Sequence, residues 1–265
     1  RNRYFDMTGY GLHVPVLKAG MAKELTRRIH SIAFRATKIE CLDLPETTEI
    51  VRTVLLEPEA QHLYLDMVHD SMIQLREGEV TATNVLTRLL RLSQLTGGFL
   101  CQDESDRPVS VSDAKLKALS DIVDSAAEDG KKLVIIARFL PEIDAILRML
   151  EKKAIGYSII SGEIKDRDEQ VRRFQTDPDT TVFVGQIATA GLGITLTAAD
   201  TMVFYSLDYS MSNFEQAKAR IHRVGQRSPC TYLYLVAAGT VDEKVLQALI
   251  DKADLARILI DEYRA

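Results

Sequence analysis

From about residue 110 onward, short unbroken apolar runs alternate with stretches whose apolar residues recur at helical spacing. Val111 to Ala127 reads as a helix opened by Ser112-Asp113 as a cap. Leu133-Val134-Ile135-Ile136-Ala137 follows Gly130 and reads as a strand buried on both sides. Pro141 suits the first turn of a helix running to about Lys153. Tyr157 to Ile160 is a short strand leading into Ser161-Gly162, and Asp166 to Phe174 a charged helix. Thr181 to Val184, Met202 to Tyr205 and Thr231 to Val236 are further strands, with Ser212 to His222 helical between the last two. Val241 to about Glu262 predicts a long terminal helix.

Strands alternating with helices at this spacing imply an α/β fold with a parallel sheet covered on both faces. Such sheets bind ligands at the carboxyl ends of their strands. The loops after Ala137, Ile160, Val184, Tyr205 and Val236 are therefore the candidates.

Residues 1–105 have a different pattern. Lys23 to Ala36, Glu59 to Leu75 and the amphipathic Thr83 to Leu95 predict helices, the last ending at Gly97-Gly98. Thr48 to Leu56 alternates like a strand. This part reads as a mostly helical segment with a hairpin-like element. The polar, proline-bearing stretch Asp103 to Val109 marks a boundary. The expected division is 1–105, 106–240 and a bracing helix over 241–265.

Composition adds limits. The chain has 265 residues, 46% hydrophobic and 27% charged, as globular proteins do. No apolar run approaches the roughly 20 residues of a membrane span, and no secretory leader is evident. The first residue is Arg1, so a longer parent protein is expected. Cys41, Cys101 and Cys230 are too scattered for a disulfide framework or zinc site, which predicts a reducing compartment. The five histidines show no ligand spacing either, so no metal site is expected. The net charge of −5 argues against a purely electrostatic nucleic-acid binder. Residues 1–40 nevertheless hold eight Lys and Arg against three acids, a basic end that suits a nucleic-acid backbone or a solvated helix face.

Two segments carry candidate chemistry. In Gln216 to Gln226, helical spacing would put Gln216, Arg220 and Arg223 on one face, with Gly225 ending the helix. Paired arginines need an anion or carboxylate to answer them, and a guanidinium binds phosphate oxygens bidentately. A salt-bridged surface helix would use the same residues. The second segment, Ala188-Thr189-Ala190-Gly191-Leu192-Gly193, follows a strand end, where glycines allow backbone to approach phosphate or nucleic acid. A plain tight turn would need the same glycines.

The order of these pieces is more specific than either alone. Strand, Gly-Leu-Gly loop, strand ending Phe204-Tyr205-Ser206, then Gln-x3-Arg-x-His-Arg-x-Gly-Gln resembles motifs V and VI of superfamily 2 helicases, and specifically the Snf2 family of DNA translocases. Ile221-His222-Arg223-Val224-Gly225-Gln226 is the run most particular to that family. Lys132 to Phe139 resembles motif IV, and Ile160-Ser161-Gly162 with Arg167 and Phe174 resembles the family's short glycine segment and following helix. Upstream, Phe34 to Lys38, Leu44-Pro45 and Leu56 through Gln61 and Tyr64 are similar to further landmarks. Three places depart from the pattern. Ala36 interrupts the Arg-Thr-Lys landmark, Asp208 to Asn213 replaces a Pro- and Trp-bearing loop, and Gly97-Gly98-Phe99 stands where many members have Asn-His-Pro. These suggested a bacterial or phage-type branch, hence a cytoplasmic protein.

The resemblance implies a RecA-like second lobe preceded by a helical protrusion. It implies ATP with Mg2+, bound mainly by a first lobe that would supply the phosphate loop and the water-activating acid. No Gly-x4-Gly-Lys-Ser/Thr occurs in this chain, and Asp103 to Asp106 spells an acidic-box string with no phosphate loop before it. The chain alone is therefore expected to be inactive. Arg220 and Arg223 would be arginine fingers, with Arg223 the foremost on the γ-phosphate. Gln216 and Gln226 would orient them or touch nucleotide, and Gly191 and Gly193 would couple the two ligands. Ser161, Gly162 and Thr189 would hold the backbone of duplex DNA. The expected assembly is a monomer with its own N-terminal lobe as partner and no membrane. A strand-separating DNA or RNA helicase and a non-catalytic docking lobe are the alternatives. The paired arginines weigh against the second.

Overall fold

The computed structural model describes residues 3–8, 14–33, 42–77, 82–101, 107–162, 166–189 and 193–251. The contacts divide the chain into two compact units, Arg1–Asp43 and Leu44–Ala265. In the first, β1 (Phe5–Thr8) pairs antiparallel with β2 (Val14–Leu17), Phe5 opposite Leu17. Helix α1 (Ala22–His30) follows, and its Glu24 binds Arg3 at 2.6 Å. The helix expected over Lys23 to Ala36 ends at His30, with Ser31 and Ile32 in a turn; the landmark Phe34 to Lys38 lies outside the described residues.

The second unit holds a six-stranded, wholly parallel sheet. In chain order its strands are β3 (Thr47–Val54), β6 (Leu133–Ala137), β7 (Gly156–Ile160), β8 (Thr180–Gln186), β9 (Thr201–Phe204) and β10 (Cys230–Ala237). Their spatial order is β3-β10-β9-β6-β8-β7. Between Phe99–Cys101 (β4) and Pro108–Ser110 (β5) lies a separate antiparallel pair. All five residues of β6 are buried, so helices cover this strand from both faces, as its unbroken apolar run demands. The flanking helices are α2 (Pro58–Glu77), α3 (Ala82–Thr96), α4 (Ala114–Glu128), α5 (Leu140–Lys152), α6 (Arg167–Thr176), α7 (Met211–Lys218) and α8 (Val241–Ile250). This is the expected RecA-like sheet.

One strand of the large sheet differs from the sequence reading. The strand expected near Thr48 to Leu56 does not form a hairpin with its neighbours. It is an outer strand of the sheet, paired in parallel with β10 from Thr47 opposite Cys230 to Val54 opposite Ala237. Seven of its eight residues are exposed, as an edge position allows. Alternation marks a strand but says nothing of a partner some 180 residues away. The terminal helix is described to Ile250, and its expected continuation to Glu262 lies beyond the described residues.

A buried polar junction ties the helical segment to the sheet. The Lys115 side chain, 1% exposed, meets Asp242 at 2.6 Å and donates to the Tyr205 carbonyl at 3.2 Å. Asp242 also accepts from Thr96 Oγ1 at 2.8 Å and from the Ala237 N–H at 3.1 Å. Such a pair is tolerated in the interior because its remaining polar positions are filled. Nearby, the φ of Gly98 is +101° at the α3–β4 turn, and a Cβ there would lie 2.5 Å from the Ser112 carbonyl oxygen. Gly98→Ala is expected to cost about 1–3 kcal/mol, read as a lower midpoint in denaturant unfolding of the chain. An unchanged midpoint would refute the need for glycine there.

Candidate functional site

Helix α7 is seated by aromatic packing. Phe214 lies 5.3 Å from the ring of Phe204 on β9 and 5.9 Å from that of Tyr234 on β10, and Phe204 stacks on Tyr234 at 5.3 Å. All three rings are buried. At the far end of the helix, the Lys218 ammonium lies over the rings of Phe214 and Tyr232 and pairs with Glu49 on β3.

The helix stops at Lys218, earlier than the expected His222. Tertiary donors reach the carbonyls at and beyond its end, although the Lys218 carbonyl also accepts from the His222 N–H at 3.3 Å. Tyr232 O–H donates to the Lys218 carbonyl at 3.0 Å, and the Leu196 N–H to the Arg220 carbonyl at 2.9 Å. Arg220 and Arg223 therefore do not share a helical face with Gln216, whose amide donates to Ser212 Oγ at 2.9 Å on its own helix. Gly225 does not end the helix; its φ of +100° falls within the turn that follows.

The arginines are brought together by another route. Both aim Nη1 at one acceptor, the Ile194 carbonyl, Arg223 at 3.0 Å and Arg220 at the outer limit of 3.5 Å. Among the described residues no carboxylate pairs with either, and the buried Nε of Arg220 has no acceptor. Burial, and then the charge of Arg223, push the Arg220 guanidinium below its usual value. A guanidinium stays charged despite such a push, so the turn holds two cations in want of an anion.

Gln226 closes the turn. Its amide nitrogen donates to the Ala199 and Ile221 carbonyls at 2.8 and 3.2 Å. Its amide oxygen accepts from the Arg227 and Ser228 N–H groups at 2.9 and 3.0 Å. Both donors and both acceptor positions of the amide are thus filled by backbone. His222 adds a tie to the chain before β3: its Nε2 donates to the Pro45 carbonyl at 2.9 Å, an oxygen that can only accept.

The predicted nucleic-acid residues gather at the carboxyl ends of β7 and β8. Thr189 Oγ1 donates to the Gln186 carbonyl at 2.7 Å and reaches the Ile160 carbonyl at 3.4 Å. Ser161 is buried, and Gly162 is exposed beside the Gln186 side chain. Gly193 faces open space: a Cβ there would meet nothing within 4 Å. Gly191 lies outside the described residues.

At the carboxyl end of β6, a candidate strand-end loop, the sequence did not show which residues meet. Arg138 is held between two rings, 4.4 Å from the centre of Tyr209 and 4.9 Å from that of Phe139. Gln186 Nε2 donates to the Arg138 carbonyl at 3.2 Å. Beneath lies Glu142, whose Oε2 accepts from the N–H groups of Arg138 and Phe139 at 3.1 and 3.0 Å and from Ser206 Oγ at 2.5 Å. The position after Ala137 was flagged as a strand-end loop, but its partners come from distant segments.

The six parallel strands with their covering helices form a RecA-like α/β lobe, and the arginine pair is a feature of its surface turn. Residues 114–225 match the helicase conserved C-terminal domain. The relatives and solved structures that the chain matches, INO80 and SWI2/SNF2 ATPases, support the resemblance to the C-terminal lobe of the Snf2 family. It is 28% identical over 260 residues to the chromatin-remodeling ATPase INO80 of Cryptococcus neoformans, covering 90% of this chain and 15% of that protein. It is 29% identical over 206 residues to INO80 of Drosophila melanogaster, covering 76% of this chain and 13% of that protein. The chain thus spans only a small part of these relatives. The Sulfolobus solfataricus SWI2/SNF2 ATPase core in complex with dsDNA superposes with a TM-score of 0.67 at 24% identity, covering 91% of this chain and 55% of that one.

These relatives correct the expected source. Chromatin-remodeling ATPases of a fungus and a fly belong with a nucleus, not with a bacterial or phage cytoplasm. The departures that suggested a bacterial branch, such as Asp208 to Asn213, are largely loop substitutions. Loops vary freely among homologues and are a poor record of lineage.

Burial above all pushes the Glu142 carboxyl up to about 7, against the lowering effect of its Ser206, Phe139 and Arg138 donors and of the Lys115 charge. A folded value above the unfolded one means that this contribution to stability is full below about 4.5 and is lost as pH rises through about 7. Glu142→Gln is expected to flatten the fall in stability between those limits, read by urea unfolding across pH. Parallel curves for the two proteins would refute it.

Proposed function

We propose that this chain is the C-terminal lobe of an ATP-driven translocase on double-stranded DNA, and that Arg220 and Arg223 meet the γ-phosphate of an ATP held by a first lobe. The observation that carries this reading is the pair of guanidiniums converging on the Ile194 carbonyl without a carboxylate. Phosphate oxygens would supply the anion that the turn lacks.

The surrounding residues fit that role. Gln226, with its amide filled by backbone, fixes the turn rather than touching nucleotide. Gln216 acts from the helix that carries the turn. Gly193 leaves space where nucleic acid would approach the backbone, and Gly191, outside the described residues, would couple that track to the ATP site with it. Ser161, Gly162 and Thr189 would hold a DNA strand by its phosphates, which position a protein without reading sequence. Mg2+, the phosphate loop and the water-activating acid fall to the first lobe of the same protein. The duplex complex of the Sulfolobus neighbour supports DNA as the track. The two arginine contacts are made only when the lobes close, so closure would couple hydrolysis to movement along the strand.

Two measurements test this. In the full-length protein, Arg223→Ala is expected to lower DNA-stimulated ATPase by about 10³-fold or more, with ATP binding retained. Wild-type turnover would sink the assignment. Residues 1–265 alone are expected to show no ATPase above buffer, with or without DNA. Turnover that survives repeated purification would reveal a complete site.

A further inference from the structure

We infer that the basic face of α1, in the N-terminal hairpin–helix unit, is a separate nucleic-acid contact that grips backbone phosphates. The inference takes DNA as the ligand from the reading above and adds a site in the other unit of the chain. The unit Arg1–Asp43 carries eight Lys and Arg against four Asp and Glu, in a chain whose net charge is −5. A charge asymmetry of this kind within one chain points to a polyanionic partner.

Much of that charge is gathered on one helix. Lys23 and Arg27 stand about one turn apart on the same side of α1, and Arg28 follows beside Arg27. All three residues are exposed. Among the described residues none of their side chains has an ion-pair or hydrogen-bond partner. The acid in the first turn of the helix, Glu24, is already answered: Arg3 meets it at 2.6 Å and the Tyr4 hydroxyl donates to it at 3.4 Å. Asp6 on β1 is likewise met by Lys18 at 3.6 Å. Lys23, Arg27 and Arg28 therefore keep their full positive charge toward solvent.

The helix is seated on its hairpin. Arg3, ahead of β1, holds Glu24 while its guanidinium lies 5.5 Å from the centre of the Tyr4 ring. After β2 the Lys18 N–H donates to the Tyr4 carbonyl at 2.9 Å, and the Lys18 carbonyl accepts from the Met21 N–H at 3.1 Å. The chain turns there through Gly20, whose φ is +79°. The make-up of the face favours phosphates over a protein surface. At about 3.6 residues per turn, Lys23, Arg27, Glu24 and Arg28 occupy about 140° of the helix with no apolar side chain among them. Leu25 and Ile29 fall outside that arc. A protein interface needs an apolar centre within its polar rim, whereas a nucleic-acid backbone asks only for cations and reads no sequence through them.

The test uses the full-length protein and a duplex oligonucleotide, with affinity measured across salt. Lys23→Gln, Arg27→Gln and Arg28→Gln combined are expected to weaken binding by about a hundredfold, alike for unrelated sequences. The slope of log affinity against log salt is expected to fall by about two to three. Arg27→Gln alone is expected to lower the slope by about one, and Arg27→Lys to keep it. ATP affinity is expected to stay at the wild-type value throughout. Unchanged DNA affinity and slope in the folded triple variant overturns the proposal, while the DNA reading of the other unit stands on the binding that remains. If the triple variant does not fold, Arg27→Gln and Arg28→Gln decide singly, and wild-type slopes in both overturn it. A poly-glutamate peptide that binds the wild-type protein as tightly as the duplex, and loses its hold in the triple variant, also overturns it, because the face would then serve an acidic protein. Absence of DNA binding by the wild-type protein overturns both this proposal and the DNA reading.

Discussion

Every strand of the large sheet runs in one direction, and its central strand is buried over its whole length. A strand sealed on both faces can carry no polar function along its body, because an unpaired polar group there would cost more than the fold can spare. Charged and polar groups are therefore confined to the strand ends. Parallel direction then puts all the carboxyl ends on one edge. Arg138 after β6, Ser161 after β7 and Thr189 after β8 share one edge for this reason and not through closeness in sequence, whereas the arginine turn leads into the amino end of β10 and is tied to residues just before β9 and β3.

The candidate site residues are organised by backbone acceptors as much as by side chains. The Ile194 carbonyl takes two guanidiniums, and the carbonyls of Ala199 and Ile221 hold Gln226. The carbonyls of Gln186 and Ile160 hold Thr189. A carbonyl presents a partial charge and cannot neutralise an arginine as a carboxylate would. The arginines are oriented without being satisfied, which leaves them able to gain a full anion as partner.

The strands were legible because a buried parallel strand must be an unbroken apolar run, and Leu133 to Ala137 is one. The glycine and arginine segments were legible because their order along the chain narrows the possibilities more than their composition does. The end of α7 was not. Residues through His222 are compatible with a helix, but Leu196 supplies a donor from elsewhere that takes the Arg220 carbonyl, and the Tyr232 hydroxyl shares the Lys218 carbonyl with the His222 N–H. The pairing of Arg138 with Tyr209 was equally hidden, since 71 positions separate them and neither shows a local pattern. Tertiary partners, absent from any sequence window, decided both.

The strand β3 carries one more consequence. It is joined to β10 over eight aligned residues and flanked by ties from Pro45 to His222, Glu46 to Cys230 and Glu49 to Lys218. A pull entering before Thr47 and resisted beyond Ala237 would load this parallel ladder lengthwise. Its bonds would then bear the load together rather than opening one after another. The arginine turn is tied into the same seam, so tension on the chain before β3 would reach Arg223 through a stiff mechanical joint.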